Sequence, residues 1–272
     1  LPGSPRFAEG ELAGLEEAAE TVGFPLLVKA SGGGGGIGMR LVEDPAKLLK
    51  AVESTQSAAA RSFGDGSIYL ERFIARARHV EVQVFGFGDG RAIHLFERDC
   101  SIQRRFQKVV EESPAPGLPD ALRQEMAETA CALAAAERYS GAGTVEYVVD
   151  ADSGAYYFLE MNTRIQGEHP VTEMVTGADL VAAQLLLAAG QDPSPSLLQA
   201  RVDGHAIECR IYAENPARKF LPSPGELTRF DLPTDLDGVR IDTGVRAGDA
   251  ITPYYDPMIA KVIAKGADRA GA

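Results

Sequence analysis

Apolar residues recur at helical spacing in three longer stretches of the chain, and each predicts a helix. The first stretch covers residues 8–22 and stops before Gly23. The second covers about residues 119–139, where the apolar stripe indicates core packing. The third follows Asp179, a favourable N-cap residue, and stops near Gly190.

Alternating and apolar runs predict strands, most of them joined by tight turns. One hairpin pairs residues 79–85 with 92–96, and its alternating valines predict a single buried face. A second hairpin pairs residues 144–149 with 155–161. The polar stretch at residues 98–112 is predicted to be irregular. Because hairpins outnumber strand–helix–strand units, the fold class is α+β with mixed or antiparallel sheets.

A glycine run follows the predicted strand at residues 25–30 and precedes another at residues 39–42. Its members are Gly32, Gly33, Gly34, Gly35 and Gly36. Backbone N–H groups of such a run can approach phosphate oxygens unhindered, although a plain surface loop would look the same. No Gly-Lys-Ser/Thr follows, so the run is not a Walker motif. Lys29 lies upstream in an apolar strand, where burial is costly unless an anion meets it.

Polar residues alternate from the end of the second hairpin, at Glu160, Asn162, Arg164, Gln166 and Glu168. If the segment stays extended, all five side chains point to one side. Carboxylate and amide oxygens are the ligands that Mg²⁺ uses when it also binds phosphates. The alternative is that these residues form the solvated face of an edge strand.

Four features fit one ligand, a nucleoside triphosphate with Mg²⁺. They are the glycine run, Lys29, the carboxylate and amide set, and a group of cations within residues 98–112. Those cations are Arg98, Arg104, Arg105 and Lys108. Glu146 lies on the arm that pairs with the strand of Glu160, which makes it a further candidate metal ligand.

Composition and charge disfavour several classes of function. The chain has 272 residues and a formal net charge of −12, which disfavours nucleic-acid binding. No apolar run reaches membrane-spanning length. Three widely spaced cysteines fit a reducing, cytoplasmic setting without a disulfide framework. Because Leu1 is not a Met and no leader follows, we expect a piece of a longer polypeptide.

The sequence resembles the biotin carboxylase component of biotin-dependent carboxylases, within the ATP-grasp superfamily. The resemblance rests on five segments: residues 26–36, 97–105, 160–173, 208–214 and 254–261. It implies an ATP-grasp fold with a glycine-rich lid and part of a biotin carboxylase C-terminal domain. The implied domains are a lid subdomain at 1–73, a large subdomain at 74–195 and a partial C-terminal domain at 196–272.

The resemblance also implies roles for individual residues. Lys29 and the glycine lid would bind the ATP phosphates. The adenine end would involve Glu71, Arg72, Ile74, His79 and Gln103. Mg²⁺ or Mn²⁺ would be held by Glu146, Glu160 and Asn162. Bicarbonate would be bound by Arg164, Gln166, Gly167 and Glu168. The catalytic residues would be Glu168 as base, Arg164, Lys108, and Arg210 for the biotin enolate.

The implied reaction is ATP- and bicarbonate-dependent carboxylation of biotin through carboxyphosphate. No biotinylation motif is present in the sequence, so we expect biotin on a separate carrier, with a carboxyltransferase as further partner and a homodimer as the intact form. Two rival readings remain open. One is another carboxyphosphate-forming ligase related to carbamoyl-phosphate synthase, and the other is a nucleotide-binding fragment without turnover.

Three positions depart from the family's usual residues. Phe106 stands where a polar residue is common, Gly167 stands where valine is usual, and Ile37 replaces a frequent cation after the glycines. Glycine at position 167 still offers its N–H to an anion but makes the loop less rigid.

Overall fold

The computed structural model divides into two compact units. The residues it describes are 1–33, 38–191, 193, 195–233 and 236–272. The first unit comprises residues 1–77 and 149–158, and the second comprises residues 78–148 and 159–272. The α+β class is confirmed, since helices combine with antiparallel sheets.

The first unit contains a small sheet covered by two helices. Its elements are α1 (Leu15–Val22), β1 (Leu26–Ala30), β2 (Met39–Val42), α2 (Leu48–Phe63) and β3 (Ile68–Arg72). The strands pair antiparallel in the order β2-β1-β3. Side chains alternate along β1, so Leu26 and Val28 are fully buried in a core with Val52 and Leu70.

Helix α1 is shorter than the span of residues 8–22 predicted from apolar spacing. Gly14 takes a left-handed backbone conformation, with φ at 78°, and the helix begins only at Leu15. A residue in that conformation cannot continue a right-handed helix. The predicted stop is confirmed, because the Gly23 N–H donates to the Ala19 carbonyl at 2.9 Å.

The rest of the chain is organised around one large sheet. The elements that follow β3 are β4 (Ala77–Phe87), β5 (Ala92–Arg104), β6 (Gln107–Ser113), α3 (Asp120–Ala136), β7 (Ser140–Asp150), β8 (Tyr156–Asn162), α4 (His169–Thr176), α5 (Leu180–Ala188), α6 (Pro195–Leu198), β9 (His205–Tyr212), β10 (Glu214–Asn215), β11 (Leu221–Pro222), β12 (Gly225–Glu226), β13 (Val239–Thr243), β14 (Ala250–Ile251) and β15 (Met258–Gly266). Eight of these strands form a sheet in the order β13-β15-β9-β6-β5-β4-β7-β8. Helix α4 packs against β9 and β5.

The prediction that residues 98–112 are irregular is wrong. Strand β5 continues to Arg104, and β6 returns from Gln107 after a turn at Arg105 and Phe106, both with positive φ. Register shifts interrupt the pairing of the two strands. The alternation was hidden because charged residues fill buried positions of both strands.

The first hairpin also departs from its predicted pattern, since both faces of β4 are buried. Glu81 and Gln83 lie on the face expected to be polar and solvated, yet neither has any exposed surface. Thr172 of α4 reaches this face and accepts a hydrogen bond there from Arg98 of β5 at 3.0 Å. Helix α4 therefore covers the face of β4 that the alternation of valines predicted to be exposed to solvent.

The alternating polar segment after β8 does not stay extended. The strand ends at Asn162, a turn follows, and α4 begins at His169 with Pro170 in its first turn. Helix α5 begins as predicted, because the Asp179 side chain accepts from the Ala182 N–H at 2.8 Å. Among the described residues, no single helix is long and apolar enough to cross a membrane, and one bent pair passes by length and composition only.

Candidate active site

One cavity of about 270 Å³ opens among residues of the second unit. All the residues that the sequence singled out for metal, bicarbonate and catalysis lie on its wall: Lys108, Glu146, Glu160, Asn162, Arg164, Gln166, Gly167, Glu168 and Arg210. Two of the residues expected at the adenine end, His79 and Gln103, also line it. The wall is completed by Phe106, Gln107, Tyr212 and Asp256.

Lys108 lies at the centre of a cluster of carboxylates. Its Nζ is 2.6 Å from Oε2 of Glu81, 2.8 Å from Oε1 of Glu146 and 2.5 Å from Oε1 of Glu168. Burial opposes the charge of the ammonium, but the surrounding negative charge, Glu81 first, outweighs it and raises the pKa of Lys108. The lysine therefore stays positive and joins β6 to β4, β7 and the start of α4.

Behind Lys108 lies a fully buried arginine that the sequence reading placed among loop cations. Arg98 has no exposed surface, and its Nε donates to Oε1 of Glu81 at 2.6 Å. Its remaining N–H groups donate to Gln83, Thr172 and Thr144 at distances between 2.7 and 3.1 Å. Every partner is itself buried, so Arg98 fixes the floor of the pocket without touching the cavity.

His79 joins the same cluster from β4. Its Nε2 lies 3.1 Å from Oε2 of Glu146 and 3.7 Å from Oε2 of Glu81. Burial lowers the pKa of His79, but the two neighbouring glutamates outweigh burial and bring it to about 9. The imidazole is therefore protonated near neutral pH, and it adds a third cation to the carboxylate cluster.

The three residues predicted to hold a metal come together at the edge of the sheet. The Asn162 side-chain amide donates to Oε1 of Glu146 at 3.0 Å and to Oε1 of Glu160 at 3.4 Å. Glu146 lies on β7, and Asn162 and Glu160 lie on β8. Burial raises the pKa of Glu146, but the adjacent His79 outweighs burial, so the net pKa is lowered. Two carboxylates and an amide facing one cavity fit the hard oxygen donors that Mg²⁺ prefers.

Glu168 precedes α4 and is held between two cations. Its Oε1 contacts Lys108, and its Oε2 accepts from Arg210 at 2.8 Å. Only 2% of the residue is exposed, and that small surface faces the cavity. A carboxylate on the cavity wall, held in place by contacts to both of its oxygens, is positioned as a general base requires.

The neighbouring turn is fixed mainly by backbone and amide contacts. Gln166 donates to Oε1 of Glu146 at 3.0 Å, while its own Oε1 is buried and has no hydrogen-bond partner among the described residues. Arg164 contacts the Ile165 carbonyl at 3.2 Å and Oδ1 of Asn162 at 3.4 Å. Both side chains thus present polar atoms to the cavity, as the alternating pattern predicted, although the backbone there is a turn.

Gly167 lies under the Arg210 guanidinium. A Cβ added at this position would come 3.4 Å from NH2 of Arg210, so glycine leaves room that a larger residue would fill. The Gly167 carbonyl accepts from Nζ of Lys261 on β15 at 2.6 Å. The loss of rigidity expected from this glycine is thus countered by a buried lysine that sequence reasoning missed.

The residues predicted for the nucleotide phosphates and adenine fall largely in the first unit. Nζ of Lys29 lies 2.7 Å from Oε2 of Glu71 and 5.5 Å from the centre of the Tyr69 ring. Nε of Arg72 donates to the Val22 carbonyl at 2.7 Å, and Ile74 is half-buried. An acid on the adjacent strand therefore meets the half-buried lysine, where the sequence predicted an anionic ligand.

Only part of the glycine run can be placed. Gly32 and Gly33 are described, and the Gly33 N–H donates to the Ala30 carbonyl at 3.1 Å. Gly34, Gly35, Gly36 and Ile37 lie outside the described residues.

The remaining predicted cations do not converge on the cavity. Arg104 pairs with Glu214 at 2.5 Å and lies over the Phe220 ring, and Arg105 contacts the Lys219 carbonyl at 3.3 Å. Gln103 lines the cavity and donates to the Cys100 carbonyl at 2.8 Å. Of the four cations within residues 98–112, Lys108 alone is part of the cavity wall.

Comparison with known families and structures agrees with this geometry. The family described as "Carbamoyl-phosphate synthase L chain, ATP binding domain" matches residues 2–194. The family described as "Biotin carboxylase C-terminal domain" matches residues 208–272. The fold is therefore of the ATP-grasp class, continued by a second conserved domain type.

Individual relatives are more specific. Biotin carboxylase 2 of Bacillus subtilis is 51% identical over 260 residues, which cover 96% of this chain and 58% of that protein. The alpha subunit of methylcrotonoyl-CoA carboxylase from Dictyostelium discoideum is 49% identical over 255 residues, covering 94% and 36%. A solved biotin carboxylase domain dimer of Hydrogenobacter thermophilus 2-oxoglutarate carboxylase, bound to MgADP, ADP and bicarbonate, aligns with a TM-score of 0.88. It is 42% identical and covers 98% of this chain and 58% of its own.

The chain belongs to the biotin carboxylase family. It spans 58% of the length of the Bacillus subtilis relative.

Proposed function

We propose that this protein carboxylates biotin on a separate carrier, using ATP and bicarbonate and forming carboxyphosphate. One observation carries the proposal: Glu168 lies in the same cavity as Glu146, Glu160 and Asn162, and it is flanked there by Lys108 and Arg210. A base, a metal-ligand set and two cations in one polar cavity suit phosphoryl transfer to a small anion.

At the nucleotide end, Lys29 would exchange Glu71 for the ATP phosphates, assisted by the backbone of residues 32–36. Glu71, Arg72 and Ile74 would then contact the adenine end. Bound at Glu146, Glu160 and Asn162, Mg²⁺ or Mn²⁺ would neutralise charge on the phosphates. The hydrogen bonds that bring Asn162 together with Glu146 and Glu160 support this role.

Bicarbonate would bind beside Arg164, Gln166 and the Gly167 backbone. Glu168 would take the proton of bicarbonate as a bicarbonate oxygen attacks the γ-phosphorus of ATP. The bond between that phosphorus and the ADP oxygen would break at the same time. The carboxyphosphate so formed would release CO₂ and phosphate. That phosphate would accept the proton of the biotin ureido nitrogen, which then attacks CO₂.

Arg210 would stabilise the negative charge that develops on the biotin ureido oxygen. Its position supports this role, since the guanidinium lies on the cavity wall. The proposed partners are a biotin carrier domain and a carboxyltransferase, and the proposed assembly is a homodimer. The names of relatives such as methylcrotonoyl-CoA carboxylase subunit alpha support the association with a larger carboxylase.

The base assignment is tested with Glu168→Gln in the complete protein. The amide keeps the shape of the side chain but cannot accept the bicarbonate proton. We expect bicarbonate-dependent phosphate release to fall by roughly 10²–10⁴-fold. Mg-ATP affinity, measured by calorimetry, should change little. Turnover close to that of the wild type would contradict the role of Glu168 as base.

An alternative hypothesis is a ligase that forms carbamoyl phosphate, and its substrates distinguish it from a biotin carboxylase. The family match over residues 2–194 favours this alternative, whereas the match over residues 208–272 favours carboxylation of biotin. We expect free biotin to stimulate bicarbonate-dependent ATP hydrolysis and ammonia to leave it unchanged. Stimulation by ammonia alone would reverse the assignment. Mg-ATP binding with no phosphate release under any condition would favour a nucleotide-binding protein without turnover.

A further inference from the structure

Two buried glutamates face each other on the sheet behind Arg210. Glu111 on β6 and Glu208 on β9 are directly opposite in the strand register, and neither has any exposed surface. Arg210 follows Glu208 by two positions on β9, so both side chains point to the same face of the sheet. Neither glutamate has a role in the proposed carboxylation reaction.

Glu111 makes a close ion pair with Arg210. Nε of Arg210 lies 2.6 Å from Oε1 of Glu111, while NH2 of the same guanidinium donates to Glu168 at 2.8 Å. The Nε–H is not aligned for a hydrogen bond with Glu111, so the attraction between these two groups is electrostatic. One rigid, planar cation therefore spans an acid on the cavity wall and an acid behind it.

Sharing Arg210 between two acids has a chemical consequence. Glu111 attracts the guanidinium at Nε while Glu168 accepts a hydrogen bond from NH2, and the two contacts together fix the plane of the guanidinium. Arg210 is therefore held in one position on the cavity wall, where an anion that forms in the cavity can meet it.

Glu208 shares the surroundings of Glu111 but not its contact. Neither carboxyl oxygen of Glu208 has a hydrogen-bond partner among the described residues. The nearby Lys261 instead donates to the Gly167 carbonyl. Burial raises the pKa of Glu208 to about 8, while that of Glu111, which burial also raises, reaches only about 7 beside Arg210. Of the two acids, only Glu111 forms an ion pair with Arg210 among the described residues.

We propose that Glu111 is a positioning residue for carboxyl transfer, which holds the Arg210 guanidinium between itself and Glu168. The inference rests on the proposed function, because the task of Arg210 is to stabilise the biotin enolate. Glu208 has no such task and serves as the matched control.

The test compares Glu111→Gln with Glu208→Gln in the complete protein, with free biotin as the acceptor. We expect Glu111→Gln to lower kcat for biotin carboxylation on the order of 10–100-fold, the worth of one charge-assisted contact, with KM for ATP unchanged within about twofold. Glu208→Gln should keep kcat within about threefold, because its side chain contacts neither Arg210 nor the cavity.

A double-mutant cycle separates positioning from a general structural effect. If Glu111 acts only through Arg210, Glu111→Gln should cause no further loss in a protein that already carries Arg210→Ala. Equal losses in the two glutamine variants, or additive losses in the cycle, would overturn the inference. Should Glu111→Gln fail to bind Mg-ATP, Glu111→Asp keeps the charge and should show a smaller loss of kcat, whereas full activity in it would count against the proposal.

The two proposals fail differently. An active wild type in which Glu111→Gln is unimpaired would remove the positioning role alone. A wild type that hydrolyses ATP but never carboxylates biotin would overturn the proposed function and the positioning role with it.

Discussion

Buried glutamates occur in two neighbouring regions of the large sheet, and they differ in charge although they are equally buried. Glu81 has no exposed surface; burial raises its pKa, but Arg98 and Lys108, each 2.6 Å away, outweigh burial and hold the pKa well below its usual value. Glu208 also has no exposed surface, and burial raises its pKa to about 8. The number of cations within contact distance, and not the depth of burial alone, separates the two glutamates.

The contrast explains why one region can serve as a reaction site. Ionised carboxylates around the cavity can bind a metal or accept a proton, and Lys108, Arg98 and His79 keep them ionised without filling the cavity. The acid pair Glu111 and Glu208 has Arg210 at one end only. It holds fewer charges, and its effect on the site passes through that arginine.

The largest effect on stability is expected for Arg98→Met, which breaks the ionised side of the contrast. Glu81 would lose a fully buried partner, and breaking such a pair costs about 3–5 kcal/mol. The free energy of unfolding of the protein is measured by urea denaturation. Arg91→Met is the control, because Arg91 also pairs with a carboxylate, Asp89 at 2.8 Å, but lies on the surface. It should change stability little, and an equal loss in both variants would contradict the argument.

A smaller effect on stability is expected for Lys108→Met, because Lys108 borders the cavity and water can replace part of what is lost. We expect a loss of about 1–3 kcal/mol. Activity should suffer more, since Glu168 would lose the cation that contacts its Oε1. Bicarbonate-dependent phosphate release should fall roughly 10²–10⁴-fold. Phosphate release near the wild-type rate would show that the reaction does not need the charge of Lys108.

The sequence predicted the cavity residues better than the strands that carry them. Alternating polar residues identified Glu160, Asn162 and Glu168, because polar chemistry at such spacing is unusual for a surface strand. The same polarity disguised β5 and β6 as a loop. Arg98 illustrates the reason: a cation in a polar stretch normally faces water, and only the tertiary packing of Glu81 and α4 residues around it makes burial tolerable.

Long-range pairing accounts for the other omissions. Glu111 and Glu208 lie far apart in sequence, and only the register of β6 against β9 makes them neighbours. Their raised pKa values follow from burial at that register, which the neighbouring cations Arg210 and Lys261 do not offset, and no local pattern contains this information. The resemblance to biotin carboxylases named the residues that line the cavity but left this supporting layer undescribed.

The smallest effect is expected for Glu208→Gln, and its sign depends on pH. An unfolded glutamate has a pKa near 4.5, whereas folded Glu208 keeps its proton up to about pH 8. Below pH 4.5 both states are protonated and the group favours neither. Between pH 4.5 and 8 the unfolded state releases the proton first, so the stability of the wild type falls as pH rises.

Glutamine does not titrate, and the variant avoids this loss. We therefore expect little difference at pH 5 and a variant more stable by about 1–3 kcal/mol at pH 8.5, measured by urea unfolding at both pH values. Parallel stability curves for the two proteins would mean that Glu208 is ionised in the folded protein, and the contrast with Glu81 would then disappear.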